Sequence, residues 1–241
     1  MKTTIKTLKK MMLVALFTLI SSSAFAATYY VCAGATLNFT PQTIANISYT
    51  WDVEGGGFNA ITPVAGVYSI TASSTPGTYT VTMRSTSSNP AICAPADVVN
   101  DFIVLPPLAF NLASAPSNAQ YCTSAGANAN SVITPTFTGF PTGTPYTDDL
   151  EAEYSYSVVK DGGSAVNGTT VGTINTTTGA YTLTTTVIGS YVITGSVKYK
   201  QKAGFTNALI STSGCPVTGV TTQTVEVIAA PAQPSIVITA N

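Results

Sequence analysis

Through most of this chain, apolar and polar residues alternate in short runs, and clusters of glycine, proline and asparagine separate the runs. Tyr79, Val81 and Met83 fall on one side of an extended chain, with Thr78, Thr80 and Thr82 on the other. Tyr181 and Leu183 alternate with Thr182 and Thr184 in the same way. A period of two bounded by turn residues predicts half-buried antiparallel strands. No segment after residue 26 carries a convincing helical period. Many short strands between turn signals predict an all-β sandwich.

The pattern occurs twice. Ile61-x4-Gly66-x-Tyr68-x-Ile70-Thr71 precedes Gly77-x-Tyr79-x-Val81-Thr82, and Ile174-x4-Gly179-x-Tyr181-x-Leu183-Thr184 precedes Gly189-x-Tyr191-x-Ile193-Thr194. Upstream, the run from Ser48 to Gly56 corresponds to the run from Tyr154 to Gly163, with Tyr156 standing where the first copy has Trp51. Each copy ends on a terminal strand, Asp101 to Leu105 and Thr224 to Ile228, followed by a proline-rich exit. Self-similarity of this kind predicts two tandem modules, residues 27–106 and 107–229. The second holds a longer insert between Cys122 and Tyr154. Residues 230–241 form a linker or an orphan strand, because Ser235 to Thr239 resembles a lead strand with no module behind it.

The first 26 residues read differently. Lys2, Lys6, Lys9 and Lys10 precede an apolar run from Met11 to Ile20, and Ala24-Phe25-Ala26 supplies a cleavage site. This is the pattern of a cleavable secretory signal peptide, too short in its apolar core to span a bilayer, and it predicts an exported chain, extracellular or on the cell surface (or periplasmic). No later segment is apolar for the length of a transmembrane helix. Beyond the leader, five basic residues face ten acids, a balance that argues against nucleic acid as a partner. Charged residues make up 8% of the chain while hydrophobic residues make up 45%, so the chain can build a core and must stay soluble largely through hydroxyls and backbone.

Cys32, Cys93, Cys122 and Cys215 are the four cysteines. An even count in an exported chain predicts disulfides, and the two-copy organisation favours Cys32–Cys93 and Cys122–Cys215 among the three pairings. Trp51 is expected as a core plug between sheets, with an exposed sugar-stacking platform as the functional alternative. Tyr79 and Tyr191 each follow a strand-starting glycine closely, as in a tyrosine corner, where the hydroxyl reaches back to backbone. Tyr156 completes the expected structural core.

Tyr49-Thr50-Trp51-Asp52-Val53-Glu54-Gly55-Gly56 followed by Pro76-Gly77-Thr78-Tyr79-Thr80-Val81-Thr82 resembles the polycystic-kidney-disease (PKD) family of immunoglobulin-like modules, in which a Y-x-W-D-F-G-D-G motif precedes a P-G-x-Y-x-V-T strand. The resemblance spans most of residues 30–106 and is weaker in the second module. It implies immunoglobulin-like sandwiches in a bacterial surface protein that serves adhesion, spacing or display, with other surface proteins or glycans as partners and no active site. A carbohydrate-binding accessory module is the alternative.

The inventory of reactive groups agrees. Histidine, the usual general base and a common metal ligand, is absent. Gly55-Gly56-Gly57 lacks the ending of a phosphate-binding loop and reads as a hairpin turn. Asp148, Asp149, Glu151 and Glu153 form an acidic cluster that offers oxygens to calcium, or else a solvated acidic loop. Lys198, Lys200 and Lys202 share one strand face and are expected to protect a sheet edge. The orphan tail suggests either a truncated repeat array or head-to-tail self-association by strand addition.

Overall fold

The structure, a computed structural model, describes residues 27–55, 59–60, 68–232 and 235–236 of the 241-residue chain. The leader, Gly56 and Gly57, the stretch from Ile61 to Gly66 and most of the C-terminal tail lie outside the described residues. Of the tail, Ser235 and Ile236 are exposed and belong to no strand. The chain divides between Leu105 and Pro106 into two units.

Unit one contains β1 (Ala27–Cys32), β2 (Thr36–Phe39), β3 (Ile47–Glu54), β4 (Asn59–Ala60), β5 (Tyr68–Thr71), β6 (Gly77–Ser87) and β7 (Val98–Leu105). One sheet runs β1-β7-β6-β3 and the other β2-β5-β4. β1 is parallel to β7, with Ala27 opposite Asn100 and Cys32 opposite Leu105, while the other pairs are antiparallel. The alternation read from β6 has a direct physical outcome. Tyr79 and Val81 meet Leu37 and Ile70 of the facing sheet, together with Val31, Phe102 and Val104, in one core. Their threonine neighbours face outward or stay half-exposed.

Unit two repeats the plan. It contains β8 (Ala109–Asn111), β9 (Gln120–Cys122), β10 (Ser131–Ile133), β11 (Thr136–Thr138), the short helix α1 (Tyr146–Asp149), β12 (Leu150–Lys160), β13 (Ala165–Asn167), β14 (Gly172–Ile174), β15 (Tyr181–Leu183), β16 (Gly189–Gln201), β17 (Ala208–Leu209), β18 (Val217–Thr218) and β19 (Gln223–Ile228). The larger sheet runs β13-β12-β16-β19-β9, with β18 also on β16, and the smaller runs β10-β15-β14. β8 pairs with β11. As in unit one, the first strand of the large sheet lies parallel to the last, with Cys122 opposite Ile228. The shared order, one sheet closing on its own terminal strand and a three-stranded sheet against it, is an immunoglobulin-like sandwich.

Ring stacks connect the sheets in both units. Trp51 of β3 stacks on Tyr68 of β5 with centroids 4.8 Å apart and planes 1° from parallel. At the equivalent place Tyr156 of β12 stacks on Tyr181 of β15 at 4.7 Å. Trp51 is half-buried, packed also against Phe39, whereas Tyr156 is buried and donates its hydroxyl to the Gly179 carbonyl. Gly195 lies opposite Tyr156 on β16, and a β-carbon there would fall 2.6 Å from the Phe110 ring and 2.8 Å from the Tyr156 ring. Only glycine lets both rings cross that strand.

Two further tyrosines hold the turns that lead into β6 and β16. Tyr79 donates its hydroxyl to the Thr75 carbonyl at 2.9 Å, and Tyr191 donates to Val187 at 2.7 Å. Both reach back four residues, and both rings are buried. Burial pushes the Tyr121 phenol up to about 12, helped by nearby Tyr191, and raises Tyr156, Tyr181 and Tyr199 as well.

Replacing Tyr79 or Tyr191 by Phe removes one part-buried hydrogen bond and leaves its ring in place, so each change is expected to cost about 1 kcal/mol in urea unfolding. A loss within error at both positions would deny the hydroxyls their role. The tyrosine shifts also set an alkaline limit. The folded chain keeps phenolic protons that the unfolded chain surrenders above its ordinary value of 10.0, so stability is complete below pH 10 and falls as the pH rises through about 12. Circular dichroism and tyrosinate absorbance should therefore change together above pH 10, with no earlier loss between pH 7 and pH 9.

Candidate functional site

The cysteines are the least ordinary feature of the two units. Cys32 and Cys215 form a disulfide, while Cys93 and Cys122 are free thiols. The expected pairs, Cys32–Cys93 and Cys122–Cys215, are corrected by the sheet registers. In unit one Cys32 lies opposite Leu105, at the end of the sheet where Gly77 pairs with Val104. Cys93 belongs to the β6–β7 connection, which leaves from the other end, beyond Met83 opposite Val98. Six residues of strand separate those registers, about 20 Å, whereas a disulfide needs α-carbons within about 7 Å. Unit two shows the same separation. Cys122 sits at the end where Gly189 pairs with Val227, and Cys215 sits beside Gly214, whose carbonyl accepts the Tyr199 N–H ten residues further along β16.

Each unit thus carries one cysteine at either end. Repetition of the pattern suggested a bond within each copy because spacing in sequence contains no information about which end of a sandwich a loop occupies. Cys32 is in register with Leu105, and Tyr199, next to the Cys215 loop, donates its hydroxyl to the Pro106 carbonyl at 2.8 Å. Gly214 shapes that loop with φ +73°, and a β-carbon there would lie 2.1 Å from the Tyr199 carbonyl oxygen. Its N–H is held by Ser211.

The acidic cluster does not converge. Asp148 and Asp149 lie on α1, and Asp148 is exposed. Asp149 is buried, and its carboxylate accepts the N–H groups of Thr206 and Asn207 and the Asn207 side-chain amide, at 2.6, 3.2 and 2.9 Å. Glu151 and Glu153 are not in a loop but on β12, where buried Leu150 extends the period-two pattern upstream of Tyr154. They pair across the sheet with Lys200 and Lys198, at 3.0 and 2.9 Å. A calcium cage needs several carboxylates aimed at one point. Among the described residues no group of three such ligands is assembled.

The same pairs correct the reading of the lysines. β16 is an interior strand, between β12 and β19, so its lysines do not guard an edge. They form a cross-strand charge ladder, and the Glu151 carboxylate holds the Lys200 ammonium above its usual range. Lys202 instead donates to the Thr147 carbonyl at 2.5 Å. Half-exposed pairs of this kind contribute little to stability, and a one-residue slip of the register would separate them.

The ladder borders a surface groove of about 860 Å³, lined by Glu151, Glu153, Tyr154, Thr173, Thr176 and Lys200 among others. Glu151 and Glu153 are paired with Lys200 and Lys198, Lys202 is held by the Thr147 carbonyl, and the Tyr154 ring leans edge-on to Phe137 with centroids 5.6 Å apart. Among the described residues Phe205 is the one aromatic in the exposed class, so no row of open ring faces is present there for a sugar to stack upon. No helix among the described residues is long and apolar enough to cross a membrane.

No family model matches the chain, and no curated protein matches it. Among solved structures it is similar to the fibronectin(III)-like modules of Clostridium thermocellum CbhA, at 13% identity over 89% of this chain and 97% of that one, with a TM-score of 0.39. It is also similar to three N-terminal domains of the bacteriophage RB49 highly immunogenic outer capsid protein, at 10% identity over 83% and 67% of the two chains, with a TM-score of 0.41. Tandem Ig repeats of Dlar match at 9% identity over 85% and 96%, with a TM-score of 0.27. At these values the strand order, and not the likeness, carries the assignment of two immunoglobulin-like sandwiches.

Proposed function

We propose that this chain is an exported, non-catalytic structural module of a bacterial surface, a spacer or adhesive unit of PKD-like sandwiches that transmits load between its two ends. The observation that supports this best is the Cys32–Cys215 bond. It closes the chain from β2 to β17 into a covalent loop. Tension applied at the chain ends passes through β1, the bond and the last strands, and bypasses the enclosed residues. A bond of this kind belongs to an oxidising exterior compartment, in keeping with the leader. Other surface proteins or glycans are the partners such a module would present itself to.

Force spectroscopy on the full chain, held by its two ends, tests this. The oxidised protein should extend only by its terminal segments. Reduction should release roughly 180 enclosed residues and add about 600 Å of length at 3.3–3.6 Å per residue. Equal extension before and after reduction would refute the reading of the bond as the path of tension.

A further inference from the structure

Among the described residues, unit two has a lead strand and unit one has none in the equivalent place. In unit two the lead segment puts Leu108, Phe110 and Leu112 into the core, all three buried. Its strand β8 pairs with β11, and the two form a sheet of their own. The Phe110 ring lies 6.2 Å from that of Tyr154 and 6.3 Å from that of Tyr156, over Gly195. In unit one the stretch after β2, Thr40 to Ile44, corresponds to β11 and belongs to no strand. A partner strand is missing there, and its neighbour has not formed.

The residues that a lead strand would cover are nevertheless present. The registers align Tyr49 with Tyr154, Trp51 with Tyr156, Met83 with Gly195 and Ser85 with Val197. Tyr156, Gly195 and Val197 are buried, whereas Trp51, Met83 and Ser85 are only half-buried. The Ser85 hydroxyl oxygen is itself buried and has no hydrogen-bond partner among the described residues, where Val197 needs none. An added strand brings backbone donors and acceptors to such a group. Met83 takes up part of the room that Gly195 leaves for Phe110, so the missing side chain is smaller than phenylalanine.

The chain carries a segment of that description. Ser235-Ile236-Val237-Ile238-Thr239 follows Pro234 as Leu108 to Leu112 follow Pro107, and it is uncharged, free of aromatic rings and β-branched at four of its five positions. Ile236 is 86% exposed, an apolar side chain left in water. Order along the chain decides which unit it serves, because the segment that leaves unit one fills the core of the unit downstream.

We propose that residues 235–239 of one copy add as the lead strand to unit one of a second copy, over Tyr49, Trp51 and Met83. An isoleucine of the tail takes the place that Phe110 holds in unit two, and its backbone pairs with Thr40 to Ile44. The donor and acceptor surfaces differ, so every assembly keeps one of each and grows head to tail. This goes beyond the spacer reading and does not depend on the Cys32–Cys215 bond.

Trp51 is the single tryptophan of the chain, so its emission reports on this face. The full chain is compared with a form ending at Ala230, which keeps every strand, and with the full chain carrying Ile236→Asp and Ile238→Asp. The free thiols are alkylated in all three. In sedimentation velocity the full chain should form multimers that grow with concentration, and both altered forms should run as monomers. A synthetic peptide of residues 231–241, added to either altered form, should shift Trp51 emission to the blue and saturate. The same peptide in excess should return the full chain to monomer, while a peptide with both aspartates should do neither. Circular dichroism that matches the full chain shows the altered forms folded. A full chain that stays monomeric at every concentration, multimers that survive in the doubly substituted chain, or a native peptide that leaves Trp51 emission unmoved would each overturn the proposal.

Discussion

Everything else in each unit is arranged around one ring stack that spans the gap between its sheets. With so few charges, neither sheet has much besides its inner face to hold it to the other. Trp51 on Tyr68, and Tyr156 on Tyr181, fill that gap with large flat surfaces, worth about 0.5–1.5 kcal/mol beyond the area they bury. The stacks also set the vertical position of one sheet over the other, since a shift by one residue would turn each ring outward. Neighbouring features follow from that choice. Gly195 is small because Phe110 and Tyr156 occupy the space above it, and Gly179 offers its carbonyl because the Tyr156 hydroxyl has to be satisfied when buried.

Which parts of this were legible in the sequence depends on range. Alternation is a local property, so Tyr79, Val81, Tyr181 and Leu183 announce strands by themselves, and a repeat of that alternation announces a second copy. The aromatic stacks combine residues that the repeat had already aligned, Trp51 with Tyr156 and Tyr68 with Tyr181, yet nothing in one strand states which ring in another it will touch. The acids show the limit most clearly. Asp148, Asp149, Glu151 and Glu153 are adjacent along the chain, but a change from helix to strand after Asp149 sends one inward, one to solvent and two toward lysines forty-odd positions later. Counting carboxylates in a window cannot anticipate that. Leu150 could have: an apolar residue two before Ala152 and four before Tyr154 extends the strand over the acidic stretch.

Cysteine placement teaches a related lesson about repeats. Two residues that recur in every copy need not serve that copy. In a sandwich with its first strand parallel to its last, the end of the first strand marks the way out and the loop between the last two strands marks the way in.

The outer faces of the large sheets carry hydroxyl pairs beside their few ion pairs. Ser48 meets Thr86 at 2.7 Å across β3 and β6, and Ser155 meets Ser196 at 2.7 Å across β12 and β16. Neutral alcohols have no counterions to lose and no charge to gain or shed in the ordinary range of acidity. Contacts of this kind hold alike in fresh water and in brine.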